Sequence, residues 1–344
     1  MSEIREHVAV ADEPEGYLFV PGCGDGSESD VHISLSDTQR SLVYLKVEGG
    51  RRGGPRLAVD HGFTVDGLIH MVKRCEDKQI EDFMVRICSR LYRARRDLFA
   101  LDGSWLRLRQ IDPRTTLDEL PSPMPGVIKK MLMSPALIPG GIIYITGQPG
   151  SGKSTTAAAT IVSRLKAFGG ICYTIEDPPE FELNGWHGEG YCTQTWVHGK
   201  SNRDWGEAFR GALRSQPAHT SLMMYIGEVR DSPSALALLR AAGNGFLVVA
   251  TGFATDITSG IDNFLRLARI RREGETTFSN LLRLVVHQRI EHGRLLANTL
   301  ASPTPHSSVA AKLRHGLLMH LMNDIRQQQT EQIAGRHAFE EFES

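Results

Sequence analysis

The sequence predicts a layered α/β fold over its larger part, preceded by a smaller mixed α+β segment. Three observations carry that expectation. Short, continuously apolar runs recur at Ile142–Ile145, Leu222–Ile226 and Phe246–Ala250, and helical patterns alternate with them, as crossover helices alternate with parallel strands buried on both faces. A complete G-x-x-x-x-G-K-[ST] loop, Gly147-Gln148-Pro149-Gly150-Ser151-Gly152-Lys153-Ser154 followed by Thr155, joins the first run to a helix-forming stretch. Helix punctuation falls in step with the runs: Ser232-Pro233 opens a helix that Gly243 closes, and Gly169-Gly170 ends the helix after the loop.

In chain order, residues 1–30 are acidic and Gly-rich without a sustained period, and read as a mobile segment. Residues 31–112 read as an α+β domain. It holds a strand at Ser41–Leu45, an amphipathic stretch at Val65–Lys73, and strands at Phe83–Cys88 and Trp105–Ile111. The last of these alternates Trp105, Arg107 and Arg109 against Leu106, Leu108 and Gln110. Residues 113–125 are Pro-rich and polar, and read as an ordered linker between the domains. The second domain, 126–330, holds the Ile142 strand, the loop and the helix Thr155–Lys166. After these come a strand at Ile171–Ile175, a helix at Trp205–Leu213, the Leu222 strand, the helix Ser232–Ala242 and the Phe246 strand. Beyond Ile257 the pattern reads as mostly helical, with Leu313–Met322 at the spacing of a packed helix face and 331–344 a polar acidic tail.

Composition narrows the functional classes. A chain of 344 residues with net charge −1 carries no global electrostatic footprint for nucleic acid. Five cysteines, Cys23, Cys75, Cys88, Cys172 and Cys192, form no C-x-x-C pair, which argues against a disulfide framework or structural zinc and for reduced thiols. Thirteen histidines lack metal-ligand spacing, leaving Mg²⁺ as the expected metal. No uninterrupted apolar stretch is long enough to span a bilayer and the first residues carry acids, so the expectation is a cytoplasmic chain without a transmembrane segment.

The loop dictates a nucleotide polyphosphate as ligand. Gly147, Gly150 and Gly152 allow backbone N–H groups to converge on an anion, and the following helix offers its free N-terminal amides to the same charge. Lys153 has the reach to meet the β and γ phosphates, and Ser154 carries the hydroxyl that ligates Mg²⁺. Phosphate hydrolysis would further need carboxylates at the ends of neighbouring strands. Glu176-Asp177-Pro178-Pro179-Glu180 follows one strand, and Gly227-Glu228-Val229-Arg230-Asp231 follows another that is expected beside the loop strand. Glu228 is the expected catalytic or Mg²⁺-linked acid, and Asp231 reads as the cap of the Ser232 helix.

Five ordered motifs carry a resemblance. The phosphate loop, Thr174–Phe181, Phe209–Pro217, Gly227–Asp231 and Gly245–Thr251 together resemble the type II/type IV secretion ATPase family, whose members serve secretion, pilus dynamics and conjugative transfer. The similarity runs from about Trp105 to about Gln328. It implies a PAS-like N-terminal domain, a RecA-like ATPase domain with a helical C-terminal subdomain to which Leu282–Arg289 and Ala301–Gln328 are assigned, and a hexameric ring peripheral to the inner membrane through envelope partners. It further implies Glu180 as general base, Glu176 and Asp177 as supports for water and metal, and Arg210, Arg214 and Arg230 in structural or phosphate-sensing roles. Arginines of the N-terminal domain, among Arg90, Arg93, Arg95, Arg96, Arg107 and Arg109, are implied to reach the phosphates.

The chain also departs from the family. Phe246 and Phe253 stand where members usually have histidines, the segment Leu183–Gln194 is divergent, and extra residues lie between Pro217 and Gly227. The lack of a Cys₄ zinc segment and of a further N-terminal domain points to the shorter members. Two rival readings follow: a nucleotide-binding ring scaffold or regulator with little turnover, and a nucleic-acid-dependent P-loop ATPase, although no direct nucleic-acid partner is expected.

Overall fold

The computed structural model describes residues 22–24, 27–45, 54–76, 82–87, 90–98, 100–197, 205–268 and 274–342. Its contacts divide the chain into two units, Met1–Asp112 and Pro113–Ser344.

The first unit is built on β1 (Glu28–Ser34), β2 (Leu42–Leu45), β3 (Arg56–Leu57), α1 (Val65–Glu76), β4 (Asp82–Ile87), β5 (Arg90–Asp97) and β6 (Trp105–Gln110). The strands form an antiparallel sheet of order β3-β2-β1-β6-β5-β4. Leu68, Met71 and Cys75 of α1 share one core with Val31, Ile33, Val85, Leu106 and Leu108 of the sheet. On β6 the alternation works as its sequence requires: Leu106 and Leu108 are buried, while Arg107 and Arg109 point out to ion pairs. Most of the segment expected to be mobile, and Cys88, lie outside the described residues. Within that segment Cys23 is buried in a bridge with Phe63, and Glu28 opens β1.

The second unit holds α2 (Gly126–Leu132), β7 (Gly141–Gly147), α3 (Lys153–Phe168), β8 (Ile171–Glu176), β9 (Gly185–His187), β10 (Gly190–Trp196), α4 (Trp205–Arg214) and β11 (Leu222–Ile226). It continues with α5 (Ser232–Gly243), β12 (Leu247–Phe253), α6 (Ile257–Ala268), α7 (Gly274–Leu281), β13 (Leu282–Glu291), β14 (Arg294–Ala301), α8 (Ser308–Arg314) and α9 (Leu321–Ile333). The sheet order is β14-β13-β7-β12-β11-β8-β10-β9, parallel throughout its centre and closed by an antiparallel strand at each edge.

Two cores cover this sheet, which explains why its strands read as continuous apolar runs. Ile142 and Tyr144 of β7 feed one face, together with α5, α6 and α7, whereas Ile143 and Ile145 feed the other, with α2 and α3. The same division sends Phe246 and Val248 one way and Leu247 and Val249 the other. Asp231 caps α5, accepting from the Ser234 amide at 2.9 Å, with Pro233 in the first turn. Helix α3 is anchored by a buried cation: Arg164 donates to the carbonyls of Leu132 and Ser134 at 2.8 and 3.1 Å, satisfying the end of α2.

Three expectations need correction. Residues 282–301 are a long antiparallel hairpin, with β13 paired in parallel to the loop strand β7, and not part of a helical region. Their alternation was obscured by Leu284-Val285-Val286, apolar on both faces because β13 lies inside the sheet. The strand leading to Glu228 does not lie beside the loop strand, since β12 runs between β11 and β7. Residues 113–125 belong to the second unit and bury Leu117, Leu120 and Met124 in its core, as Phe339 does from the polar tail.

Candidate functional site

The phosphate loop leaves the carboxyl end of β7 and enters α3. Gly147 can only be glycine because a Cβ there would lie 2.3 Å from the Gln288 carbonyl oxygen, and Gly152 takes φ 79 as it delivers the chain into the helix. Gln148, Pro149 and Gly150 are exposed at the loop's outer turn, Ser151 is buried, and Ser154 and Thr155 begin the helix half-buried. Lys153 Nζ donates to the Gln148 carbonyl at 2.9 Å. Burial lowers its pKa, opposed by the negative charges of Glu228 and Glu180.

Those two carboxylates arrive on neighbouring strands. Glu228 follows β11, and its position is fixed on both sides by β12: the Thr251 hydroxyl donates to the Gly227 carbonyl, and the Val229 amide donates to the Thr251 carbonyl at 2.8 Å. Its side chain, about one third exposed, pairs with Arg230. Glu180 is exposed in the loop after β8. Buried Tyr225 on β11 is raised well above an ordinary phenol by burial first, then by the charges of Glu176, Glu180 and Glu228 together.

Glu176 differs from the other two. It is fully buried at the end of β8, and loss of water pushes its carboxyl up to about 7 despite hydrogen bonds from Thr174 and Gln194 that favour the anion. Gln194, on β10, was missed in the sequence. Its amide donates to Glu176 Oε1 at 2.9 Å and to the Phe181 carbonyl at 2.7 Å, and accepts from the Leu183 amide at 3.1 Å. One side chain thereby ties down both ends of the loop carrying Glu180. Asp177 is exposed and accepts from the Trp196 indole at 3.4 Å.

A prediction follows from the raised Glu176 carboxyl. The folded state holds its proton up to about pH 7, whereas an unfolded glutamate releases it near 4.5, so the parent loses stability as pH rises through that window. Glu176→Gln is expected to match the parent near pH 4.5 and to exceed it above pH 7 by on the order of 3 kcal/mol. Urea midpoints of both proteins at pH 5 and pH 8 check this, and an equal gap at the two pH values would refute it.

The site fits a nucleotide with Mg²⁺. Gly147 and Gly152 let the loop turn closely over Gln288 and Ser151, where side chains would collide, and Lys153 folds back onto the loop's Gln148 carbonyl. Among the described residues no group of three or more His, Cys, Asp or Glu side chains gathers to hold a metal. Ser154 and Glu228 are the available oxygen donors, a set that suits Mg²⁺, which keeps several waters and takes its remaining ligands from phosphates.

The implied N-terminal arginines are engaged inside their own unit: Arg90 with Glu28, Arg93 and Arg95 with Asp82, Arg107 with Asp97, Arg109 with Asp30, and Arg96 with the Cys75 carbonyl. Phe246 is buried edge-to-face with Tyr173, whereas Phe253 is half-exposed at the end of β12, in register with Gly147. Arg210 and Arg214 are exposed on α4. The cysteines Cys23, Cys75, Cys172 and Cys192 are buried.

Comparison with known proteins bears on this geometry. The chain is 34% identical over 187 residues to type II secretion system protein E of Pectobacterium carotovorum subsp. carotovorum, a match covering 53% of this chain and 34% of that protein. It is 30% identical over 243 residues to type II secretion system protein HxcR of Pseudomonas aeruginosa, covering 68% of this chain and 49% of the relative. The chain thus spans half or less of the length of these relatives. Its fold is similar to the crystal structure of the pilus retraction motor PilT with bound ADP, with TM-score 0.64 at 22% identity over 86% of this chain and 84% of that one. The type II/IV secretion system protein family matches residues 83–336, so the chain belongs to that family.

Proposed function

We propose that the chain is an Mg²⁺-dependent ATPase, acting as a subunit of a hexameric ring that powers secretion, conjugative transfer or pilus dynamics. The carrying observation is that the phosphate loop leaves β7, and the segments carrying Glu228 and Glu180 leave β11 and β8, at the same carboxyl end of one parallel sheet. Membership of the secretion family supports the reading, as does the likeness to a motor structure with ADP bound. In this reading the second unit is RecA-like with helical segments after the β13–β14 hairpin, and the first is PAS-like. Among the described residues no helix is long and apolar enough to cross a membrane, and the proposal places the ring at the inner membrane through envelope partners.

Bound Mg²⁺·ATP would supply the reactive phosphoanhydride and neutralise part of its charge. Loop amides and the Lys153 ammonium would hold the β and γ phosphates, while Ser154 and Glu228 would hold the metal and its waters. Glu180 orients the attacking water and receives its proton on the carboxylate. Glu176 and Gln194 act as positioning residues, holding the Glu180 loop against β10. The Arg230 guanidinium beside Glu228 is free to exchange that partner for a phosphate oxygen, being exposed.

The test is phosphate release from ATP by the purified chain with Mg²⁺ and after EDTA, with its mass measured in the presence of nucleotide. Turnover that requires Mg²⁺, in a particle of six chains, is expected. A chain that binds ATP yet releases no phosphate above buffer would show the scaffold reading to be right.

A further inference from the structure

Gln288, on β13, reaches the phosphate loop from inside the protein. Its side chain is buried and donates from Nε2 to the Ser151 carbonyl at 2.6 Å. It also accounts for two of the loop's glycines. A Cβ on Gly147 would lie 2.3 Å from the Gln288 carbonyl oxygen, and a Cβ on Gly152 would lie 3.3 Å from Gln288 Nε2.

Peptide planarity turns this contact into a statement about the ligand. In a trans peptide the C=O and the following N–H point in opposite directions. Holding the Ser151 oxygen against buried Gln288 therefore aims the Gly152 N–H away from the protein interior, toward the side on which an anion enters. The clasp is also only half used. Gln288 Oε1 and Ser151 Oγ are both buried without a hydrogen-bond partner, a costly condition that marks groups awaiting a second arrangement.

We infer that Gln288 is a positioning residue for nucleotide: with phosphate in the loop, its amide grips Ser151 twice, Nε2 donating to the carbonyl and Oε1 accepting from the hydroxyl. The inference rests on the reading of this loop as the nucleotide site. Gln288 touches no phosphate itself and acts through the orientation of the Ser151–Gly152 peptide.

The experiment is titration of the full chain with a fluorescent ADP analogue and Mg²⁺, with melting temperature measured in parallel. Gln288→Met keeps the length of the side chain and removes both polar atoms, and is expected to weaken binding about tenfold. Ser151→Ala, which leaves the packing around Gln288 intact, is expected to weaken it about threefold. The double variant should bind no more weakly than Gln288→Met alone, because the serine hydroxyl acts through the amide. A purely structural role would lower the melting temperature and leave the affinity of the folded protein unchanged. Binding by Gln288→Met within twofold of the parent, or losses that multiply in the double variant, would overturn the inference. A parent that binds no ADP would overturn the nucleotide-site reading with it, whereas a parent that binds beside an unchanged Gln288→Met protein would overturn this inference alone.

Discussion

Replacing Lys153 by alanine is expected to lower ATP turnover by about 10³-fold, the order of magnitude lost when a charge aimed at the transferring phosphoryl group is removed. The structure says where the loss arises. The ammonium sits in a partly desolvated position, which lowers its pKa, and the Glu228 and Glu180 charges oppose that shift. Its present hydrogen bond, to the Gln148 carbonyl, is made to the loop itself. Phosphate oxygens would displace that carbonyl, so the lysine stands ready at little cost in side-chain ordering. The variant should melt within a few degrees of the parent, because the ammonium's hydrogen bond is to the exposed turn of its own loop. Phosphate release, nucleotide affinity and melting temperature together check this. Variant turnover within tenfold of the parent would mean that the loop is not where hydrolysis occurs.

The phosphate loop and the carboxylate runs were legible in the sequence because each is a local signal. Eight consecutive residues fix the loop's chemistry, and an acid directly after an apolar run is placed by the strand before it. The central strands were legible for the same reason: Ile142–Ile145 and Leu222–Ile226 are apolar at every position, as burial between two helical layers demands. Residues 282–301 were not, since His287, Gln288 and Arg289 interrupt the apolar pattern where β13 passes the site. The turn signal His292-Gly293, both at positive φ, was the available clue to a hairpin. Gln194 and Gln288 share that difficulty. A lone polar residue in a strand has no motif, and its partner lies far along the chain: Glu176 and Phe181 for one, Ser151 for the other. The place of β12 between the loop strand and β11 is equally non-local, because sheet order is decided by long-range packing and leaves little trace in a single strand.

Glu180 and Glu228 are expected to separate into two roles when each is changed to glutamine. Both charges act on Lys153, yet their surroundings differ. Glu228 is held between two contacts to Thr251 and paired with Arg230, a fixed position of the kind a metal and its waters require. Glu180 is exposed, on a loop whose two ends are tied by Gln194, and so keeps freedom to meet a water. Glu180→Gln should therefore bind ATP with near-parental affinity and lose turnover by about 10²- to 10⁴-fold, the range assigned to a proton-accepting group. Glu228→Gln should lose turnover too, but with a marked rise in the Mg²⁺ concentration needed for half-maximal rate, since one of few protein donors to the metal has lost its charge. Mg²⁺ titrations of ATP turnover in both variants distinguish the two outcomes. If Glu180→Gln shifts the Mg²⁺ requirement and Glu228→Gln does not, the two assignments must be exchanged. If neither variant slows hydrolysis, the meeting of these carboxylates around Lys153 has no catalytic purpose.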